Sequence, residues 1–212
     1  MTRTLYLHGF ASGPASRKAQ FFRDKLAAHD IPLEMLDLAN GDFRNLTLTG
    51  QLGVIEDAAR GEPVFLIGSS MGGYLAALYA ARHPEVRGLI LLAPAFNFYE
   101  RWVETILPSD LAKWKRDGEV LVFHYAAGRQ VPIGYQLMED SQQYEAFPAF
   151  SQPCIDFHGV QDQVVPIAYS EQFARDRTNV ELIRLQSGHE LTDVLADIWT
   201  ESEQFVLRAV RK

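Results

Sequence analysis

Gly68-Ser69-Ser70-Met71-Gly72 sets one serine between two glycines, with an apolar run before it (Val64 to Ile67) and helically spaced Tyr74, Leu75, Leu78 and Tyr79 after it. The pattern reads as strand, tight turn and helix. In that setting G-x-S-x-G is the signature of a nucleophile elbow, a strained turn that lifts one hydroxyl above the sheet. Gly68 and Gly72 are expected there because a Cβ at either would strike the neighbouring strand or helix, and Gly73 relaxes the same corner. The pentapeptide arises by chance often enough that its partners must decide.

A serine hydroxyl at neutral pH needs a base, and the base needs a group to orient it. For this elbow the chain order is serine, acid, histidine. His158-Gly159-Val160-Gln161-Asp162-Gln163-Val164-Val165-Pro166 puts Asp162 just after one expected strand, and Ser187-Gly188-His189-Glu190 puts His189 just after the next. Both fall at carboxyl ends of parallel strands, the edge where open α/β sheets carry their ligand sites. His189 is expected to take the Ser70 proton on one ring nitrogen while Asp162 holds the other nitrogen protonated. Acyl chemistry also calls for oxyanion donors: the backbone N–H of Met71, after the nucleophile, and that of Phe10 in His8-Gly9-Phe10. Each such donor contributes roughly 3 kcal/mol in a dry site.

The other titratable candidates have simpler uses. His29 and His83 fall at expected helix C-termini, where a cation favours the dipole. His8 and His158 end strands beside glycines, as site-wall or hydrogen-bonded structural residues, and His124 lies in an expected hairpin. Asp156 sits inside a strand, and Asp193 reads as a helix N-cap. With no H-E-x-x-H, no paired Cys/His spacing and no G-x-x-x-x-G-K, no metal and no cofactor are expected.

These residues need a scaffold. The chain has 212 residues, 47% hydrophobic and 22% charged, with net charge -7 and one cysteine, Cys154. Length and composition fit one globular domain over 1–212; the negative balance without a basic run argues against nucleic acid or an anionic membrane as partner. A single cysteine allows no intramolecular disulfide, and the early strand leaves no room for a leader, so a cytoplasmic setting is expected. Strands are expected over Thr4–His8, Leu33–Leu38, Val64–Ile67, Gly88–Ala93, Cys154–His158 and Val180–Leu185. Helices are expected over Ser16–His29, Thr49–Arg60, the segment after the elbow, Pro166–Arg177 and Asp193–Val210. This alternation predicts an open, mostly parallel α/β sheet of about six strands with helices on both faces. The aromatic-rich stretch over about 96–149 is too long for a loop. It reads as a cap insertion with a β-hairpin from Glu119–Tyr125 and Val131–Leu137. Phe96, Phe98, Trp102 and Tyr125 are its expected substrate-facing side chains, with Arg17 and Lys18 near the mouth available to an anionic portion.

With Ser70, Asp162 and His189 on this scaffold, the chain resembles the α/β-hydrolase superfamily along its full length, trimmed of the usual first two strands. The run Leu7 to Lys18 and the stretch Tyr135 to Tyr144 are similar to the small bacterial YqiA-like esterases and thioesterases. The resemblance implies cofactor-free hydrolysis of a small carboxylic ester or acyl thioester through an acyl-enzyme. Peptide, C–C or perhydrolysis chemistry on the same machinery, or a ligand-binding protein that has lost it, are the alternatives.

Overall fold

The computed structural model describes residues 2–211, so the two end positions of the expected domain lie outside the described residues. Six strands form one parallel sheet: β1 (Arg3–Leu7), β2 (Leu33–Met35), β3 (Val64–Ser69), β4 (Val86–Leu92), β7 (Cys154–Gly159) and β8 (Val180–Leu185). Their order is β2-β1-β3-β4-β7-β8, with every pairing parallel. Such a sheet is covered on both faces, which is why β3 is buried at all six positions.

Strand side chains alternate between the two faces. Leu5, Leu7, Leu66, Leu89 and Leu91 pack with α2 (Leu48–Ala59) and α3 (Met71–Ala80). Tyr6, Phe65, Ile67, Ile90 and Leu92 pack with α1 (Arg17–Ala27) and α8 (Leu195–Val210). Ser16 and Thr47 cap α1 and α2 by accepting from the Ala19 and Gly50 amides. Helix α3 is buried at every position, so its Gly72, Gly73 and alanines fit where larger side chains would not. Residues 98–141 hold α4 (Phe98–Thr105), α5 (Pro108–Asp117), the antiparallel pair β5 (Glu119–His124) and β6 (Arg129–Gly134), and α6 (Gln136–Ser141). Helix α7 (Ala168–Ala174) lies between β7 and β8.

Most elements fall within a few residues of the expected bounds, and three of the differences have a visible cause. Strand β2 stops at Met35: the Leu36 amide still donates to Tyr6 O at 3.1 Å, but the Leu38 amide turns to the His8 side chain. The second hairpin strand starts at Arg129 and ends at Gly134. Leu137, the last residue of the strand expected over Val131–Leu137, belongs instead to α6, whose buried side it forms with Met138 and Ser141. Helix α8 begins at Leu195 with no side-chain cap, since Asp193 is engaged elsewhere. Among the described residues no helix is long and apolar enough to cross a membrane.

Candidate active site

Ser70 sits at the β3–α3 corner with φ 54° and ψ -119°, a conformation that non-glycine residues avoid. Its backbone is over-determined: the amide donates to Leu92 O at 2.9 Å, and the carbonyl accepts from Gly73, Tyr74 and Ala95. The flanking glycines make this corner fit. A Cβ on Gly68 would overlap Gly72 and Gly73, and one on Gly72 would overlap the backbone of Leu7 and His8.

The acid and the histidine come from adjacent loops after β7 and β8. Gln161 N donates to Ser187 O at 3.0 Å, tying the two loops together. His189 Nδ1 donates to Asp162 Oδ2 at 2.7 Å, and His189 Nε2 faces Ser70 Oγ at 3.0 Å. Three side chains separated by 92 and 27 positions therefore form one hydrogen-bonded line. The carboxylate is held on both sides: Oδ1 accepts from the Val164 and Val165 amides, each at 2.8 Å. Burial opposes its charge, but hydrogen bonds from His158 and His189 outweigh it and hold the Asp162 carboxyl well below the usual carboxylate range.

The backbone amide of Met71 opens α3 and has no acceptor within the helix. Gly9 packs against Ser70, where an added Cβ would stand 3.2 Å from Ser70 Cβ, so the loop bearing Phe10 borders the same hydroxyl. The Phe10 ring lies 5.3 Å from Trp102, edge to face, and 5.4 Å from Phe43. Phe43 in turn meets His124 at 4.6 Å. Tyr125 N donates to Ala11 O at 2.8 Å, which docks the hairpin tip on the same loop.

Of the four expected pocket aromatics, Trp102 is the one beside Phe10. Phe96 and Phe98 are instead core residues, 0% and 1% exposed. Phe96 stacks on Phe173 at 4.0 Å and Phe98 lies parallel to Tyr74 at 6.2 Å, so neither ring has a free face for a substrate. Tyr125 is the opposite case, 74% exposed on the hairpin tip. Phe43 beside Phe10, and His124 beside Phe43, were not expected; Phe43 belongs to a single 3-10 turn, Phe43–Asn45, too short to leave a periodic signal.

The remaining polar candidates sort by their partners. His8 Nδ1 donates to Gly9 O and its Nε2 accepts from Leu38 N; burial holds this imidazole below its ordinary range. His29 bonds Glu203, and His83 bonds Glu85 and stacks on Tyr79, so both meet carboxylates and not helix carbonyls. Asp193 accepts from the Ser187 hydroxyl and closes the His189 loop, in place of the N-cap role expected of it. Lys18 is buried, with Nζ donating to Glu190 O at 2.8 Å, so it serves that loop and not an anionic substrate; Arg17 remains exposed.

The model of UPF0227, an uncharacterised protein family, matches residues 3–205. The chain belongs to this family. A search of curated proteins by sequence returned no match. Solved structures place this UPF0227 member in the α/β-hydrolase fold. Alpha/beta hydrolase domain-containing protein 10 from mouse aligns with TM-score 0.82 at 18% identity, over 97% of this chain and 89% of that one. Est1E from Butyrivibrio proteoclasticus with ferulic acid bound aligns at 0.75 and 19%, over 100% and 90%. Alpha/beta hydrolase GrgF from Penicillium sp. sh18 aligns at 0.74 and 13%, over 100% and 91%.

Proposed function

We propose that this UPF0227 protein is a serine hydrolase that cleaves small carboxylic esters or acyl thioesters through an acyl-enzyme. The observation that carries the reading is the unbroken line from Ser70 Oγ to His189 at 3.0 Å and from His189 to Asp162 at 2.7 Å. Ser70 Oγ attacks the acyl carbon as its proton passes to His189 Nε2, and the carbonyl electron pair moves onto oxygen. The Met71 and Phe10 amides receive that oxyanion at the positive end of α3. Collapse expels the alcohol or thiol, which leaves with the proton from His189. Water then repeats the sequence on the acyl-enzyme and releases the acid. Asp162 stays ionised throughout and stabilises the imidazolium.

The substrate belongs to the EC 3.1 class in this reading. Phe10, next to the Gly9 that packs on Ser70, with Phe43 and Trp102 against its ring, favours an apolar or aromatic acyl portion. The fold neighbour Est1E, solved with ferulic acid, is compatible with that preference. The test is reaction with a fluorophosphonate probe, followed by a series of p-nitrophenyl esters and acyl-CoAs of graded length. Covalent labelling at Ser70 with turnover of at least one series is expected. A protein that neither labels nor turns over any of them is not this hydrolase.

A further inference from the structure

Asp162 has a second imidazole. His158, fully buried at the end of β7, points Nε2 at Asp162 Oδ2 at 3.2 Å and at Val165 O at 2.9 Å. The same oxygen thus accepts from both His158 and His189. With Val164 and Val165 on Oδ1, the carboxylate has four donors, and any shift of one is felt by the others.

The other side of His158 is also occupied. Its Nδ1 meets Ser170 Oγ on α7 at 2.8 Å, and Ser170 is 0% exposed. Two residues back along β7, on the same face, stands Asp156. It is fully buried, and among the described residues neither oxygen has a hydrogen-bond partner. A carboxylate stripped of water and of partners is strongly disfavoured unless a counter-charge is near. The group placed to carry one is His158, reached through Ser170: when protonated, its Nδ1–H donates to Ser170 Oγ and frees the hydroxyl proton for Asp156.

We infer that His158 is a positioning residue for Asp162 and, charged by the buried Asp156, draws off part of the negative charge that Asp162 offers His189. The inference rests on the hydrolase reading above, since it concerns the basicity of the proposed base. The directions agree with it. Burial pushes Asp156 up to about 6. Burial also opposes charge on His158, but the Asp162 hydrogen bond and Asp156 together raise it above its ordinary range. Other ionisable groups facing the pair are His189 across Oδ2, Lys18 on α1 and Arg101 on α4, the last with Tyr169 of α7 beside it. None of these is substituted in the test, and His189 is the group whose titration it reads.

The sign follows from charge. With the His158 cation gone, Asp162 stabilises the His189 imidazolium more fully, so the base stays protonated to higher pH. The measurement is the rate of fluorophosphonate labelling against pH, which needs no knowledge of the natural substrate. In His158→Leu the acid limb should move up by on the order of one pH unit, with a lower plateau. In His158→Gln, whose amide keeps an N–H donor but no charge, the plateau should return toward the unsubstituted value while the limb stays raised. Asp156→Asn, which removes the counter-charge without changing shape, should raise the limb too. A purely structural role lowers the plateau and leaves the limb in place; that result in His158→Leu overturns the inference. If His158→Leu does not fold, an unmoved limb in Asp156→Asn overturns it. Failure of the unsubstituted protein to label sinks the hydrolase reading itself, and this inference with it.

Discussion

The Lys18 ammonium donates to the Glu190 carbonyl at 2.8 Å, joining α1 to the residue after His189 across 172 positions of sequence. Its side chain is only 10% exposed, and the Glu190 carboxylate lies 3.5 Å away on the solvent side. Burial lowers the Lys18 pKa, so the position is kept in spite of a desolvation cost. The bond ties the loop after β8 to α1, which makes Lys18 the clamp of the histidine loop.

Replacing this clamp tests the point. Lys18→Met keeps most of the buried stem and leaves the Glu190 carbonyl without its charged donor. A loss of about 1 to 3 kcal/mol of stability is expected, read from urea unfolding. Labelling at Ser70 should slow by up to about a hundredfold, because small displacements of a base are costly. An unchanged labelling rate would show that the loop is held without Lys18.

The roles proposed for the three site side chains have direct variants. Ser70→Ala should abolish probe labelling and turnover. Asp162→Asn should lower kcat by up to about 10⁴-fold: an amide has one accepting oxygen, so either its NH2 meets the Val164 and Val165 amides or it faces His189 and favours the wrong tautomer. Turnover at the full rate in either variant removes that residue from the mechanism.

Much of this arrangement was legible because its signals are local. Ser70, Asp162 and His189 each follow an apolar strand, and alternation of strand and helix alone brings strand ends to one edge. What stayed hidden depends on packing between remote segments. Phe96 looked like a pocket wall until Phe173, from α7, was seen stacked against it. Lys18 looked solvent-facing because its partner lies in another loop. The H-G-x-x-D spacing put His158 and Asp162 close, yet a strand-ending histidine has many uses; only the direction of its ring shows that it shares Oδ2 with His189.

The elbow makes a steric prediction. Gly72→Ala pushes a methyl into the backbone of Leu7 and His8, atoms that cannot move without disturbing β1 and the loop carrying Phe10. Overpacking against backbone costs about 1 to 3 kcal/mol or more. Thermal unfolding should shift down, and labelling should fall further than stability alone explains, since Ser70 and Phe10 border the strained contact. Gly53→Ala, on α2 with open space around the added carbon, is the control and should be neutral or slightly stabilising. Equal effects at both positions would refute the steric account.

Asp156 and Asp162 pull stability in opposite directions with pH. Asp162 is depressed in the folded state, so its contribution is full above the ordinary carboxylate range and is lost as pH falls through the folded value. Asp156 is raised to about 6, so the folded state binds a proton more readily than the unfolded chain. Its favourable contribution exists at low pH and disappears as pH rises from the unfolded carboxylate value toward 6; above that, the buried charge costs roughly 3 kcal/mol. Asp156→Asn should therefore stabilise the protein at pH 8 and have little effect near pH 4, measured as urea midpoints across that range. Destabilisation at pH 8 would mean that the His158 counter-charge outweighs the burial of Asp156, and that the two are held as an ion pair more strongly than their missing hydrogen bonds imply.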